Sequence, residues 1–332
     1  MQEHGPTDLL DKFTGCLLGM AIGDALGAPV SGWTRDAIAA RYGWLERFVP
    51  LGDDETHAIG EYTDETELAL CLVESAIGTG GYLDIAGAGY RFLRVLDGPG
   101  ARFLDEPTRR ALAAAAVHGD FQRGLAGPDT ATGSAAARAA PIGLLHGLCT
   151  FNPELFVRDV LRATLITHAD PEVVNGALAV AYAVWLLVQG TVPPVVLLDE
   201  VARFIDEDRV ARQLRRVTKH PFAPDAEDAI HRLVALGTSP NVDEVVATAF
   251  AAFAAAPDDF TRAVTLAVNA GGATDTRGAI TGALAGCHLG ASRLPAAFVE
   301  GLAGRPYVLM AARGLFRAAQ QRAGRYLRLL AR

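Results

Sequence analysis

The sequence predicts an all-α fold. Period-two alternation is sustained nowhere, β-branched residues gather only over Thr191 to Leu198, and apolar residues recur at helical spacing between Pro and Gly breaks. Half of the 332 residues are apolar and aromatics make up only 7%. With a mean hydropathy of +0.21, that is the composition of a soluble helical protein with a sizeable core. No linker-like stretch divides the chain, so residues 1–332 read as one domain.

The first helix is expected over residues 8–22, with Gly15, Gly19 and Gly23 every fourth residue, a stripe against which another helix can pack closely. It leads into an exit, Gly23-Asp-Ala-Leu-Gly27, carrying one carboxylate, Asp24. From Gly52 to Glu67 come seven acids (Asp53, Asp54, Glu55, Glu61, Asp64, Glu65, Glu67) and no Lys or Arg. Helices are expected near 66–77, 83–95 and 107–118, broken at Gly78–Gly81 and at Leu96-Asp-Gly-Pro-Gly-Ala101. Neither break is followed by a P-loop lysine or preceded by a strand, so neither reads as a nucleotide fingerprint. Thr130 to Gly143 opens a small-residue helix with Arg138 on an apolar face. Leu165-Ile-Thr-His-Ala-Asp170 then leads into a long apolar helix at 171–189, and places His168 where its imidazole could be exposed. Further helices are expected near 195–206, 208–217, 225–236, 242–255 and 258–269. The last, about 308–330, is studded with Arg313, Arg317, Arg322, Arg325, Arg328 and Arg332 and reads as a surface helix.

A formal net charge of −8 argues against general nucleic-acid binding. The longest uncharged apolar run, Gly176 to Val188, falls short of the ~18 residues of a membrane span. No basic segment followed by an apolar core opens the chain, so no signal peptide is visible. Cys16, Cys71, Cys149 and Cys287 are scattered without a CxxC, as buried thiols in a reducing compartment would be, and the cytoplasm is the expected location.

Two stretches carry chemistry. Val268-Asn-Ala-Gly-Gly-Ala-Thr-Asp-Thr276 puts paired glycines before Thr274, Asp275 and Thr276 at the start of an apolar helix. Tyr62-Thr-Asp-Glu-Thr-Glu67 repeats that layout before Leu68 to Leu72. Brought together, Thr63, Asp64, Glu65, Asp275 and Thr276 would form an all-oxygen ligand set for a hard divalent cation. The alternative is capping: Asp64 with Glu67 fits a capping box, and Thr274 or Asp275 would cap the second helix. Helix dipoles at both starts favour negative charge, and so ionised carboxylates and a nearby diphosphate.

In order along almost the whole chain, the motifs resemble those of the ADP-ribosylglycohydrolase family, which includes the dinitrogenase reductase activating glycohydrolase. Gly15-Cys-Leu-Leu-Gly…Gly23-Asp-Ala-Leu-Gly27 matches its first helix and exit. Tyr62-Thr-Asp-Glu-Thr66 matches its Thr-Asp-Asp-Thr motif, Thr132 to Gly143 its Asn-Gly-x-x-Met-Arg-x-x-Pro-x-Gly segment, and Thr167-His168 its Thr-His pair. Val268 to Thr276 matches its Gly-Gly-Asp-Thr-Asp-Thr signature. The resemblance implies an orthogonal helix bundle whose cleft holds two magnesium or manganese ions. It also implies cleavage of the bond joining ADP-ribose to arginine, serine, a guanidine or a related acceptor. Thr63, Asp64, Glu65, Asp275 and Thr276 would then be metal ligands, with Glu65, Asp64 and Asp275 serving catalysis. Gly133 and Ser134 would lie against the nucleotide and His168 near the diphosphate or proximal ribose, with Arg138 anchoring its loop. Asp24, Asp97, Gly98, Asn269, Gly271 and Gly272 complete the expected substrate-binding set.

Several positions depart from the pattern. Ala273 stands where the signature has its first Asp, Glu65 replaces the second Asp of the upstream motif, and Ser31 stands where many members carry a gating Glu. Gly133 and Ala137 align with the missing Asn and Met. Three carboxylates therefore remain where the family usually has four. One ion is expected; a second would need substrate oxygens or a distant acid such as Asp24 or Asp97, and is expected to bind weakly or not at all. A catalytically impaired ADP-ribose-binding protein on the same scaffold is the alternative function.

Overall fold

The computed structural model describes residues 6–52, 58–219 and 226–330. Asp53, Asp54 and Glu55 of the acidic stretch, and Arg332, lie outside the described residues. The described chain is helical, with no strand and only isolated bridges. Helices α1 to α6 are Pro6–Gly27, Arg35–Tyr42, Asp64–Thr79, Ile85–Leu96, Glu106–His118 and Ser134–Ala137. Helices α7 to α12 are Ala140–His146, Pro153–Thr164, Pro171–Gln189, Pro194–Phe204, Arg209–Thr218 and Ala226–Leu236. Helices α13 to α17 are Val242–Ala255, Phe260–Asn269, Thr274–Leu289, Ala296–Gly301 and Arg305–Leu330. The short helices α2 and α16 and the amphipathic α8 escaped the sequence reading, and Thr191–Leu198, the one β-branched run, enters α10.

The centre is the antiparallel pair α1 and α15. Gly15, Gly19, Gly23 and Gly27 face Gly286, Gly282, Gly278 and Thr274, so closely that a Cβ on any of the four would lie 1.9–2.2 Å from the opposing carbonyl oxygen. Only glycine permits this approach. The pairing realises the expected stripe and extends it: Gly23 to Gly27 is not an exit but the last turn of α1. The register thus fixes the C-terminal end of α1, with Asp24, beside the N-terminal end of α15.

Helix α9 is buried in the core, its inward residues including Val173, Ala177, Val180 and Val184. Asp8–Val30 and Pro171–Gln189 are each long and apolar enough to cross a bilayer, which corrects the shorter run read from sequence; both are largely buried within the fold. The arginines of α17 divide. Arg313, Arg317 and Arg325 are exposed, whereas Arg322 is buried and donates to Asp159 Oδ2 (3.0 Å) and to Gly81 O (3.0 Å). All four cysteines are free, with Cys149 half-buried and the others buried.

Candidate active site

A cavity of about 790 Å³ opens where α3, α6 and α15 begin. Its floor carries Asp64 and Glu65 from α3 and Asp275 and Thr276 from α15; Thr132, Gly133, Ser134 and Asp105 form one wall, and Ser31 to Asp36 the rim opposite Thr238 to Pro240. The two acidic helix starts do meet: Thr276 Oγ1 donates to Glu65 Oε1 at 2.7 Å. Glu65 Oε2 is buried and has no hydrogen-bond partner.

What holds α3 in place is Asp24. Its fully buried carboxylate accepts from Thr63 N (3.1 Å), Thr63 Oγ1 (2.7 Å), Thr66 N (3.0 Å) and Thr66 Oγ1 (2.6 Å). Asp24 is therefore a brace under the helix start and not a cavity group, and its carboxyl is pushed up to about 7 by burial, against the Thr66 and Thr63 hydrogen bonds. Thr63 is the N-cap of α3, and its hydroxyl is engaged by Asp24, so it is not among the residues lining the cavity. The capping readings fail elsewhere. Asp64 is the first helical residue with no capping box to Glu67, and α15 is entered through Ala273 with no side-chain cap. Thr274 Oγ1 instead donates to Gly27 O (2.8 Å), and Asp275 Oδ1 accepts from its neighbour Thr276 N (2.8 Å), the Thr276 hydroxyl being given to Glu65.

Asp64 and Glu65 are 3% and 4% exposed, so water screens them little. Burial pushes both carboxyls well up, reinforced for Asp64 by Glu65, Asp105 and Asp275 and for Glu65 by Asp275, while the Thr276 hydrogen bond pulls Glu65 back.

Asp105 gave no sequence signal beyond that of an N-cap, and it is one: Oδ1 accepts from Thr108 N at 2.8 Å. Its other oxygen faces the cavity wall and accepts from Thr132 Oγ1 at 2.5 Å. Behind it runs a chain of buried groups. Arg138 Nη2 donates to Thr167 Oγ1, which lies 2.7 Å from His168 Nδ1, and His168 Nε2 lies 3.0 Å from Thr132 Oγ1. Since Thr132 gives its proton to Asp105, it accepts from His168. That assigns the proton to Nε2 and makes Nδ1 the acceptor from Thr167. The imidazole is neutral, its pKa pushed down to about 4 by burial. His168 is fully buried, which corrects the expectation of a reachable ring. Arg138 is buried within electrostatic reach of Glu65, Asp105 and Asp64, its guanidinium 5.2 Å from the Phe92 ring; its one side-chain bond ties it to Thr167, and Nε and Nη1 have no hydrogen-bond partner.

The remaining expected residues divide. Gly133, Ser134 and Gly272 line the cavity, and Ser134 Oγ is buried without a partner. Gly271 and Gly272 both take φ +79°, and Gly272 N donates to Trp33 O (2.6 Å), tying the signature turn to the rim. Asn269 is not a cavity group; its buried amide binds Leu45 N, Leu45 O and Thr265 O. Asp97 is exposed at the end of α4, and neither it nor Gly98 lines the cavity. Ala273 and Ser31 do line it, so both departures fall where they bear on chemistry.

Oxygen donors with one orphaned buried carboxylate oxygen fit a hard divalent ion by donor type. The set is open, however. Among the described residues no three Asp, Glu, His or Cys side chains converge as a ready-made ion cage.

The profile of the ADP-ribosylglycohydrolase family matches residues 5–325, and the chain belongs to that family. It is similar to an uncharacterised protein of Archaeoglobus fulgidus, 32% identical over 90% of this chain and 93% of that one. It also resembles the ADP-ribosylarginine hydrolase Tri1 of Serratia proteamaculans, 26% identical over 93% of this chain and 80% of that one. Among solved structures it superposes on an ADP-ribosylglycohydrolase-related protein complex with a TM-score of 0.71 and 27% identity, covering 94% of this chain and 99% of the other. The all-α fold and the family expected from the motifs both hold.

Proposed function

We propose that the chain, acting as one domain, hydrolyses the glycosidic bond between ADP-ribose, or a related riboside, and an acceptor such as arginine, serine or a guanidine. The observation that carries this reading is the junction of Glu65 with Thr276 at the floor of a cavity of about 790 Å³, a volume suited to a dinucleotide-sized ligand. Glu65 is the residue to hold the reacting centre. Its Oε2 is free, its burial raises its proton affinity, and a carboxylate beside the anomeric carbon stabilises an oxocarbenium-like state or takes a proton from water. Asp64 and Asp275 set the negative field around it. Gly133 lets the nucleotide approach the wall, and the Ser134 hydroxyl is free to donate to it.

Asp64, Glu65, Asp275 and Thr276 would hold one magnesium or manganese ion. Such an ion orients ribose hydroxyls and water and lowers that water's pKa. The substrate would be an ADP-ribosylated protein or small molecule in the cytoplasm, with no role for nucleic acid or a membrane. The test is release of ADP-ribose from arginine-linked and serine-linked peptides with added magnesium or manganese. No release from either would remove the reading.

Ala273 at the floor supports a second reading, an ADP-ribose-binding protein without turnover. Calorimetry showing ADP-ribose binding together with failed release would select it.

A further inference from the structure

Arg277 lies behind the floor, outside the residues that line the cavity, and like Arg138 it is a buried arginine with two unpartnered guanidinium nitrogens. It follows Asp275 on α15, is 0% exposed, and neither Nη1 nor Nη2 has a hydrogen-bond partner. Buried guanidinium nitrogens are costly to leave unpaired, so such a group calls for an explanation. Its position is fixed. Nε donates to Ala273 O at 3.2 Å, and Nη2 lies 2.9 Å from where a Cβ at Gly272 would stand. The guanidinium therefore packs against the backbone of the two residues that precede α15, within electrostatic reach of Asp275 and Glu244. An unpaired buried cation thus stands against the backbone of a position that offers no carboxylate.

We propose that Arg277 is a fixed cation behind this floor, supplying against the backbone of residues 272 and 273 the positive charge that a second divalent ion would otherwise bring. This rests on the reading of the floor as the metal-bearing reaction site. Ala273 and Arg277 then belong together: an Asp at 273 would be claimed by the guanidinium before any ion, and a second ion would be repelled by it. Ala273 alone does not disable a two-ion site, because Arg277 makes the site a one-ion site.

The test compares Ala273→Asp with Ala273→Asn in the full chain. Either residue can cap α15, and repeating the pair with Arg277→Gln separates the guanidinium from the helix dipole, which favours Asp in both backgrounds; the gap should close when Arg277 is lost. In chelator, Ala273→Asp should melt about 2–4 °C above Ala273→Asn, and the gap should shrink in high salt. Manganese stoichiometry, read by equilibrium dialysis, should be the same for Ala273→Asp as for the parent. Ala273→Asp melting below Ala273→Asn, as repulsion from Asp64, Glu65 and Asp275 alone dictates, would overturn the proposal. So would one additional manganese bound per chain. None of these readouts uses turnover, so a parent that releases no ADP-ribose would sink the hydrolase reading and leave this one to be judged on melting and stoichiometry.

Discussion

Thr276 Oγ1 and Glu65 Oε1, 211 residues apart in the chain, meet at 2.7 Å. The contact depends on two devices remote from it. The glycine stripe sets α15 against α1, and Asp24 on α1 sets the start of α3 with four hydrogen bonds. The acidic floor is the place where two braced helix starts are forced together.

Glu65→Gln should abolish most turnover while leaving the fold intact. Removal of a positioned acid–base group costs about 10²–10⁴-fold in kcat. Because burial and neighbouring acids already penalise the Glu65 charge, the amide should melt no lower than the parent and, in chelator, slightly higher. A kcat within threefold of the parent's would show that Glu65 is not the reacting carboxylate.

Gly19→Val tests the brace away from the cavity. The first added carbon would lie 2.1 Å from Gly282 O, backbone against backbone, with no flexible side chain to yield. Overpacking of this kind costs about 3 kcal/mol or more, read as a fall in the urea midpoint with the slope unchanged. A loss below about 1 kcal/mol would mean that the helices can part at little cost.

The stripe was legible because close helix packing needs small residues at a fixed spacing, and Gly15, Gly19 and Gly23 show that spacing directly. The floor acids were legible as a repeated layout, and Ala273 and Ser31 as departures from it. What sequence could not give were the partners. Asp24 reads as a lone helix-end acid until α3 is docked on it, and Asp105 is indistinguishable from the N-cap that it also is. His168 looked reachable because nothing in Thr167-His168-Ala169 discloses Arg138 and Thr132 closing over it. Asn269, inside the glycine-rich motif, is taken by Leu45, a contact 224 residues away. Local pattern marks where polar groups sit; burial, which needs the whole fold, decides whether they face a ligand.

Thr132→Val should expose the role of the buried chain behind Asp105. It leaves the His168 Nε2–H without an acceptor and frees Asp105 Oδ2, at a cost of about 1–3 kcal/mol in stability. Thr132→Ser keeps both bonds and should restore stability and the parent KM. If Thr132→Ser behaves like Thr132→Val, the lost methyl and not the hydroxyl matters, and the proposed proton order along the chain is unsupported.

The acid limit of the fold should be set in part far from the cavity, at Asp159. Burial pushes this carboxyl up, but the hydrogen bonds from His146 and Arg158 and the charge of Arg322 outweigh it, taking it from its ordinary 3.8 to about 2. Burial pushes His146 down, so the imidazole is neutral at pH 7 and Arg322, 3.0 Å away, is the buried cation of the pair. A depressed carboxyl contributes stability that is complete above its unfolded value and disappears as pH falls through its folded value. The window is therefore about pH 4 down to pH 2, and the contribution is about 2 kcal/mol. Asp159→Asn should lower stability at pH 7 by at least that amount, since it also strands the Arg322 charge, and should flatten the dependence between pH 4 and pH 2. Chemical denaturation of both proteins across that range measures it. Parallel curves would show that Asp159 titrates alike in the folded and unfolded chains, and that the acid limit is set by other groups.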